Sequence, residues 1–167
     1  MEYEYRCVVD AHAVLHLPKL CLDQRSTMQV LNHLTDMVKA EHLFFPDLVV
    51  KDCAKYATDE PIHVWIKAVS GSRVHKSVAG EWQEEVLGLC PDLADFDDDL
   101  EQTQVHVAGM ALMAREQNGP NLVVVTEDRK ALPTRTCLYD ACESLRLKAL
   151  SMKELVVCAG GSEFLRA

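Results

Sequence analysis

Asp10 and Asp128 each stand just beyond a β-rich apolar run, Arg6-Cys7-Val8-Val9 before the first and Leu122-Val123-Val124-Val125-Thr126-Glu127 before the second. Neither carboxylate is placed for packing. If neighbouring strands held the two about 4 Å apart, their repulsion at an effective dielectric near 20 would be of order 4 kcal/mol. Such a pair calls for a divalent cation, a shared proton or a basic partner. Taken singly, each aspartate has a plainer role open to it, starting a turn or capping the next helix. Asp52 follows a third apolar run, Leu48-Val49-Val50. The cluster Asp95-Phe96-Asp97-Asp98-Asp99 precedes a helical segment, where acids interact favourably with the helix dipole.

Histidine offers a weaker signal. Among the seven histidines, His12 and His16 are spaced i, i+4, but the glutamate that a zinc-protease helix carries between them is missing. Zinc is therefore disfavoured, and His12 is read as a hydrogen-bond partner for Asp10.

The elements that position these residues alternate between strand and helix. Val8 to Leu17 opens as a strand and turns at Pro18, and a helix follows from Ser26, with Ser26 or Thr27 as N-cap and Leu31, Leu34 and Val38 on one face. Pro46 separates that helix from the Leu48 run, which leads past Asp52 into a helix ending near Tyr56. Pro61 to Asp92 is helix-like, with Val64-Trp65-Ile66 and Trp82 as core candidates and a break at Ser70-Gly71-Ser72. A helix from about Leu100 to Gln117 ends at Gly119-Pro120. The Val-rich strand comes next, then a helix over Leu138–Leu145, a strand over Leu147–Leu150 and a last helical turn or two over Met152–Val157. A continuous Val/Leu run reads as a strand buried on both faces. The expected fold is α/β, a three-layer α/β/α sandwich on a mainly parallel sheet, with residues 1–167 as one domain. In such sheets ligands sit beyond the carboxyl ends of the strands.

With 167 residues, nearly half of them apolar, the chain can bury a sizeable core. Its formal charge of -9 disfavours tight, nonspecific nucleic-acid binding, yet leaves room for brief contact through a metal. Seven cysteines without paired spacing resemble buried reduced thiols, Cys7, Cys53 and Cys142 lying in apolar strings. A reducing, cytosolic compartment follows. No apolar run approaches the ~20 residues of a membrane helix, and no charged leader precedes an apolar core.

In order and context the acidic positions resemble the PIN domain, a family of metal-dependent ribonucleases that includes the toxins of toxin-antitoxin pairs. Val8-Val9-Asp10-Ala11 is similar to the family's opening strand and first acid, with His12 where a small polar residue is usual. Pro46 to Tyr56 resembles the segment with the second acid, commonly Glu, for which Asp52 stands. Val123 to Asp128 matches the strand ending in Thr-x-Asp, and Cys142 to Leu150 the closing helix and strand. The third acid departs from the pattern. Aligning Val105-His106-Val107-Ala108-Gly109-Met110-Ala111-Leu112 with the family's small apolar stretch puts Gln104 at the acidic position, and Glu101, about one turn earlier, is the substitute acid.

The resemblance implies a Mg²⁺- or Mn²⁺-dependent endoribonuclease. Hard cations accept one or two carboxylates each if water and phosphate complete the shell. In a two-metal scheme one ion activates water and the other stabilises the leaving oxygen. Asp10 and Asp128 are the expected direct ligands, Asp52 a ligand or water-holding acid and Glu101 a further ligand. Gln104, Thr126 and His12 would surround them, the Thr126 hydroxyl orienting a carboxylate. Arg129, Lys130 and Lys51, with Lys55 behind, are the candidates to meet RNA phosphate. Toxin-type relatives imply a small antitoxin protein and a homodimer as partners, and no membrane.

Two rival readings remain. A PIN fold without catalysis would serve as an RNA- or protein-binding module. A phosphoacceptor receiver domain would use Pro46-Asp47-Leu48-Val49-Val50-Lys51-Asp52 as its phosphorylated strand, but Asp10 stands alone where a receiver has an acidic pair, and Thr126 follows too late.

Overall fold

The two apolar runs that precede Asp10 and Asp128 are neighbours in one sheet. In the computed structural model, which describes residues 3–70, 75–76, 78–95, 102–119 and 121–167, the chain begins with β1 (Arg6–Val9), α1 (Ala11–Leu20), α2 (Gln24–Lys39) and β2 (Leu43–Pro46). It continues with α3 (Asp47–Tyr56), α4 (Glu60–Ser70), β3 (His75–Lys76) and α5 (Gly80–Leu89). The last part holds α6 (Thr103–Asn118), β4 (Leu122–Val125), α7 (Leu138–Ser144), β5 (Lys148–Leu150) and α8 (Met152–Cys158). The strands are parallel throughout, in the order β3-β2-β1-β4-β5. Helices pack around the sheet, giving the expected three-layer α/β/α arrangement.

This order contains a reversal. From β1 the chain steps outward to β2 and β3, then crosses back to the other side of β1 for β4 and β5. The gap between the carboxyl ends of β1 and β4 is therefore the topological switch point, where connections depart to opposite sides and leave a crevice. Val9 pairs with Val125 at that end. All four residues of β4 are buried, and burying one such side chain contributes about 1.5–3 kcal/mol. The strand is thus anchored where the acids emerge.

Helix α6 lies across β1, β2 and β4 and packs closely on α5. Gly109 permits that approach: a Cβ there would come within 3.0 Å of Val78 Cγ1 and 3.5 Å of the Trp82 backbone carbon. Seven unpaired cysteines are distributed through the molecule, six of them buried and Cys158 half-buried.

Several local expectations change. The strand read from Val8 to Leu17 ends at Val9, because Asp10 caps α1, which continues through Pro18 to Leu20. Proline in the final turn costs one hydrogen bond rather than breaking the helix in its middle. Asp23, not Ser26 or Thr27, caps α2 by accepting from the Ser26 N–H. Leu48-Val49-Val50 is helical within α3, and the strand before it is Leu43–Pro46; an apolar triplet alone does not separate the two. Trp65 and Ile66 are core, whereas Val64 is 60% exposed and Trp82 half-buried. The described part of the next helix begins at Thr103; Leu100, Glu101, the Asp97–Asp99 cluster, and Gly71 and Ser72 of the expected break lie outside the described residues. No helix among the described residues is long and apolar enough to cross a membrane.

Candidate functional site at the switch point

Asp10 is held by the sheet on one side and by α1 on the other. Its backbone N–H donates to Val125 O at 3.1 Å, extending the pairing past β1. Its Oδ1 accepts from the Ala13 N–H at 2.7 Å, the ordinary N-cap bond. Capping uses only that oxygen. Oδ2 is turned toward β4 and accepts from Gln104 Nε2 at 3.1 Å and from the Thr126 hydroxyl. The residue is fully buried.

Beyond β4 the chain builds the facing half. Thr126 N–H donates to Leu150 O at 3.0 Å, so this residue still follows the sheet. Its hydroxyl donates to Asp10 and accepts from the Asp128 backbone N–H at 3.0 Å, which spans the two acids with one group. Asp128 Oδ2 collects three donors: Gln104 Nε2 at 2.8 Å, Arg135 Nη1 at 3.0 Å and the Leu138 N–H at 3.0 Å. Arg135 arrives on the loop before α7, and its second bond from Nη1, to Thr136 O at 2.7 Å, fixes the guanidinium.

Gln104 joins the halves. Standing in the first turn of α6 and only 6% exposed, it sends both hydrogens of one nitrogen to the two carboxylates. Sharing one donor nitrogen keeps their Oδ2 atoms within about 6 Å of each other, given ordinary hydrogen-bond lengths. Its other terminal atom, Oε1, is buried and has no hydrogen-bond partner among the described residues.

At that separation two full charges would repel by roughly 3 kcal/mol at an effective dielectric near 20. The two acids resolve this differently. Burial pushes the Asp10 carboxyl above its ordinary value, and bonds from Thr126, Ala13 and Gln104 only partly offset it. Asp128 is also pushed up by burial, but hydrogen bonds from Gln104, Leu138 and Arg135 outweigh this and leave it below the usual carboxylate range. Of the two, Asp128 is therefore the easier to ionise.

The remaining expected residues fall outside this knot. Asp52 is half-buried on α3; with Asp10 it raises the thiol of the intervening, buried Cys53 to about 12, after the larger effect of burial. Among the described residues no three His, Cys, Asp or Glu side chains come together closely enough to hold one ion, so Asp52 does not complete a cage with Asp10 and Asp128. Glu101 lies outside the described residues. His12 is exposed on α1 and acts on Asp10 through its charge, while the hydrogen bonds to Asp10 come from Ala13, Thr126 and Gln104. Arg129 is exposed next to the site, donating to Thr126 O at 3.3 Å and lying over the Tyr139 ring at 4.3 Å. Lys130, Lys51 and Lys55 are exposed. Arg135 is the participant that sequence reasoning missed. It stands seven residues beyond Asp128 in Leu132-Pro133-Thr134-Arg135, with no spacing that distinguishes it from a solubilising arginine.

The chain matches no protein-family model and no curated protein. The donor set itself can be tested for a cation. Two carboxylates and the unsatisfied Oε1 of Gln104 are hard oxygen donors suited to a single Mg²⁺ or Mn²⁺ with water and phosphate in its other positions.

Proposed function

We propose that this chain is a metal-dependent endoribonuclease of PIN type, working with one principal cation site at the β1–β4 switch point. The observation that carries this reading is the convergence of Asp10 and Asp128, 118 positions apart in the chain, on one nitrogen of Gln104. A fold needs neither buried carboxylate for packing. Desolvating the two together is costly and is best understood as preparation for a positive charge.

In this reading Asp10 and Asp128 hold the ion, with Asp52 at the rim retaining water. A bound Mg²⁺ or Mn²⁺ would supply Lewis acidity to the phosphodiester and to the attacking water. Thr126 keeps the Asp10 carboxylate turned toward the crevice. Arg129, Lys130 and Lys51, all exposed, meet the RNA backbone; against a net charge of -9 they give contact that is local and brief. A cytosolic setting agrees with seven unpaired cysteines. The antitoxin partner and the homodimer rest on the resemblance alone.

A second reading has its own observation. Gln104 and Arg135 already satisfy the carboxylates with N–H donors and a positive charge, as expected of a noncatalytic RNA- or protein-binding module. Incubating purified protein with a mixed-sequence RNA in Mg²⁺, in Mn²⁺ and in EDTA decides between them. The nuclease reading expects cleavage that EDTA, Asp10→Asn and Asp128→Asn each abolish. Cleavage that persists in both variants removes the site assignment, and intact RNA under every condition favours the binding module.

A further inference from the structure

Gln104 stands where the resemblance expects an acid, yet its amide is doing something an acid cannot. Both Nε2 hydrogens are committed to carboxylates, while Oε1, also buried, bonds to nothing among the described residues. Buried amide oxygens are ordinarily satisfied, and an orphaned one beside two carboxylates is an acceptor waiting for a positive partner. A half-turn about the last side-chain bond exchanges the two terminal atoms. Oε1 would then occupy the place Nε2 holds now, at about hydrogen-bond distance from both Oδ2 atoms. Three oxygens facing one another repel without a cation between them and are a favourable hard-donor set with one.

We infer that Gln104 is an amide toggle: its N–H₂ bridges Asp10 and Asp128 when the site holds no cation, and it turns over to present Oε1 as a third oxygen ligand when a divalent ion enters. This inference rests on the metal reading above. It assigns Gln104 a positive role in ion binding, opposite to that of a residue that merely blocks the site. Arg135 takes part by necessity, since its bond to Asp128 Oδ2 competes with any ion for that oxygen.

The two roles differ in sign, and calorimetric titration of Mn²⁺ into the full chain separates them. Gln104→Leu removes the bridging N–H groups and the latent oxygen together. If Oε1 is a ligand, the variant binds Mn²⁺ about tenfold more weakly than wild type, a change of about 1.4 kcal/mol, whereas Gln104→Glu binds more tightly. If the amide only obstructs, Gln104→Leu binds as tightly as wild type or better, and the inference is overturned. Binding by Gln104→Glu with none by wild type also overturns it, but leaves the two-carboxylate site standing. No binding by any of the three removes the metal reading and the toggle together.

A spectroscopic measurement keeps the test decisive if Gln104→Leu does not fold. In ¹H–¹⁵N spectra the Gln104 side-chain N–H₂ pair, identified by its absence from Gln104→Glu, should shift and exchange faster with water as Mg²⁺ is added, because its hydrogens lose their carboxylate acceptors. Signals unmoved at saturating Mg²⁺ overturn the toggle.

Discussion

The turn from β1 into α1 and the loop from β4 to α7 each deliver one carboxylate to the same amide, but they surround it differently. On the β1 side Asp10 is fully buried and has one backbone donor, one hydroxyl and one amide. On the β4 side Asp128 gathers an amide, a guanidinium and a helix N–H on a single oxygen. Burial acts on both in the same direction. The outcome is opposite because Asp10 is the more deeply buried, while at Asp128 the bonds from Gln104, Leu138 and Arg135 together outweigh burial, and charge-assisted bonds such as that from Arg135 are roughly twice as strong as neutral ones. Two residues of one type, a few ångströms apart, thus have their carboxyl pKa values pushed in opposite directions by their own surroundings.

The strongest way to break this asymmetry is to remove Arg135. Arg135→Ala should destabilise the protein by about 2–3 kcal/mol at neutral pH, less than a fully buried pair would lose because the guanidinium retains some exposure. The sign with pH is fixed by the lowered Asp128 value: its contribution is present above the ordinary carboxylate value and is lost as pH falls through the folded one. Urea denaturation from neutral to strongly acidic pH should show the gap between wild type and variant closing toward acid. A gap that does not close would mean Arg135 acts through loop packing.

Thr126→Val touches both halves at once and should cost about 1–2 kcal/mol, with Thr126→Ser recovering most of it. It should also raise the Asp10 pKa further, visible in side-chain carboxyl NMR titration, because the hydroxyl is a bond that lowers it. Gln104→Asp replaces the bridge by a third acid. Thermal melts should show a loss on the order of 1 kcal/mol in EDTA that Mn²⁺ reverses into a gain. The smallest effect belongs to Asp10→Asn, which keeps a good N-cap and should lie within about 1 kcal/mol of wild type. Because burial raises the Asp10 value, the cost of ionising it is absent at low pH and appears as pH rises through the folded value. The variant should therefore gain on wild type as pH increases, opposite in direction to the Asp128 side.

Much of the architecture was legible because strand and helix periods differ and the β1 and β4 runs are too apolar to sit anywhere but a covered parallel sheet. Boundaries were harder. Asp10 reads equally as the end of a strand or the start of a helix, and it is both. Leu48-Val49-Val50 carries β-branched residues, yet Pro46 and Asp47 begin α3 before it. In the site, Asp10, Asp128 and Thr126 could be found from their positions after apolar runs, and Gln104 from its place before the Ala-rich stretch. That Gln104 would bridge them through one nitrogen was not visible, since an amide gives no indication in sequence of which end it presents. Arg135 was beyond reach for a related reason: its role depends on how a loop folds back, and loop closure leaves no periodicity to read.

The scattered thiols give the molecule a built-in clock for its own openings. Cys53 sits beside Asp10 on one flank of the crevice and Cys142 in α7 on the other, each with its thiol pushed to about 12, chiefly by burial. Neither can react with an alkylating reagent while closed, since the thiolate is the reactive form and access is denied. Cys158, half-buried, should be modified first. The order in which the other six follow, read by mass spectrometry of peptides, would rank the local opening free energies across the sheet, and Cys53 and Cys142 would show whether the two flanks part independently or only when the whole chain unfolds.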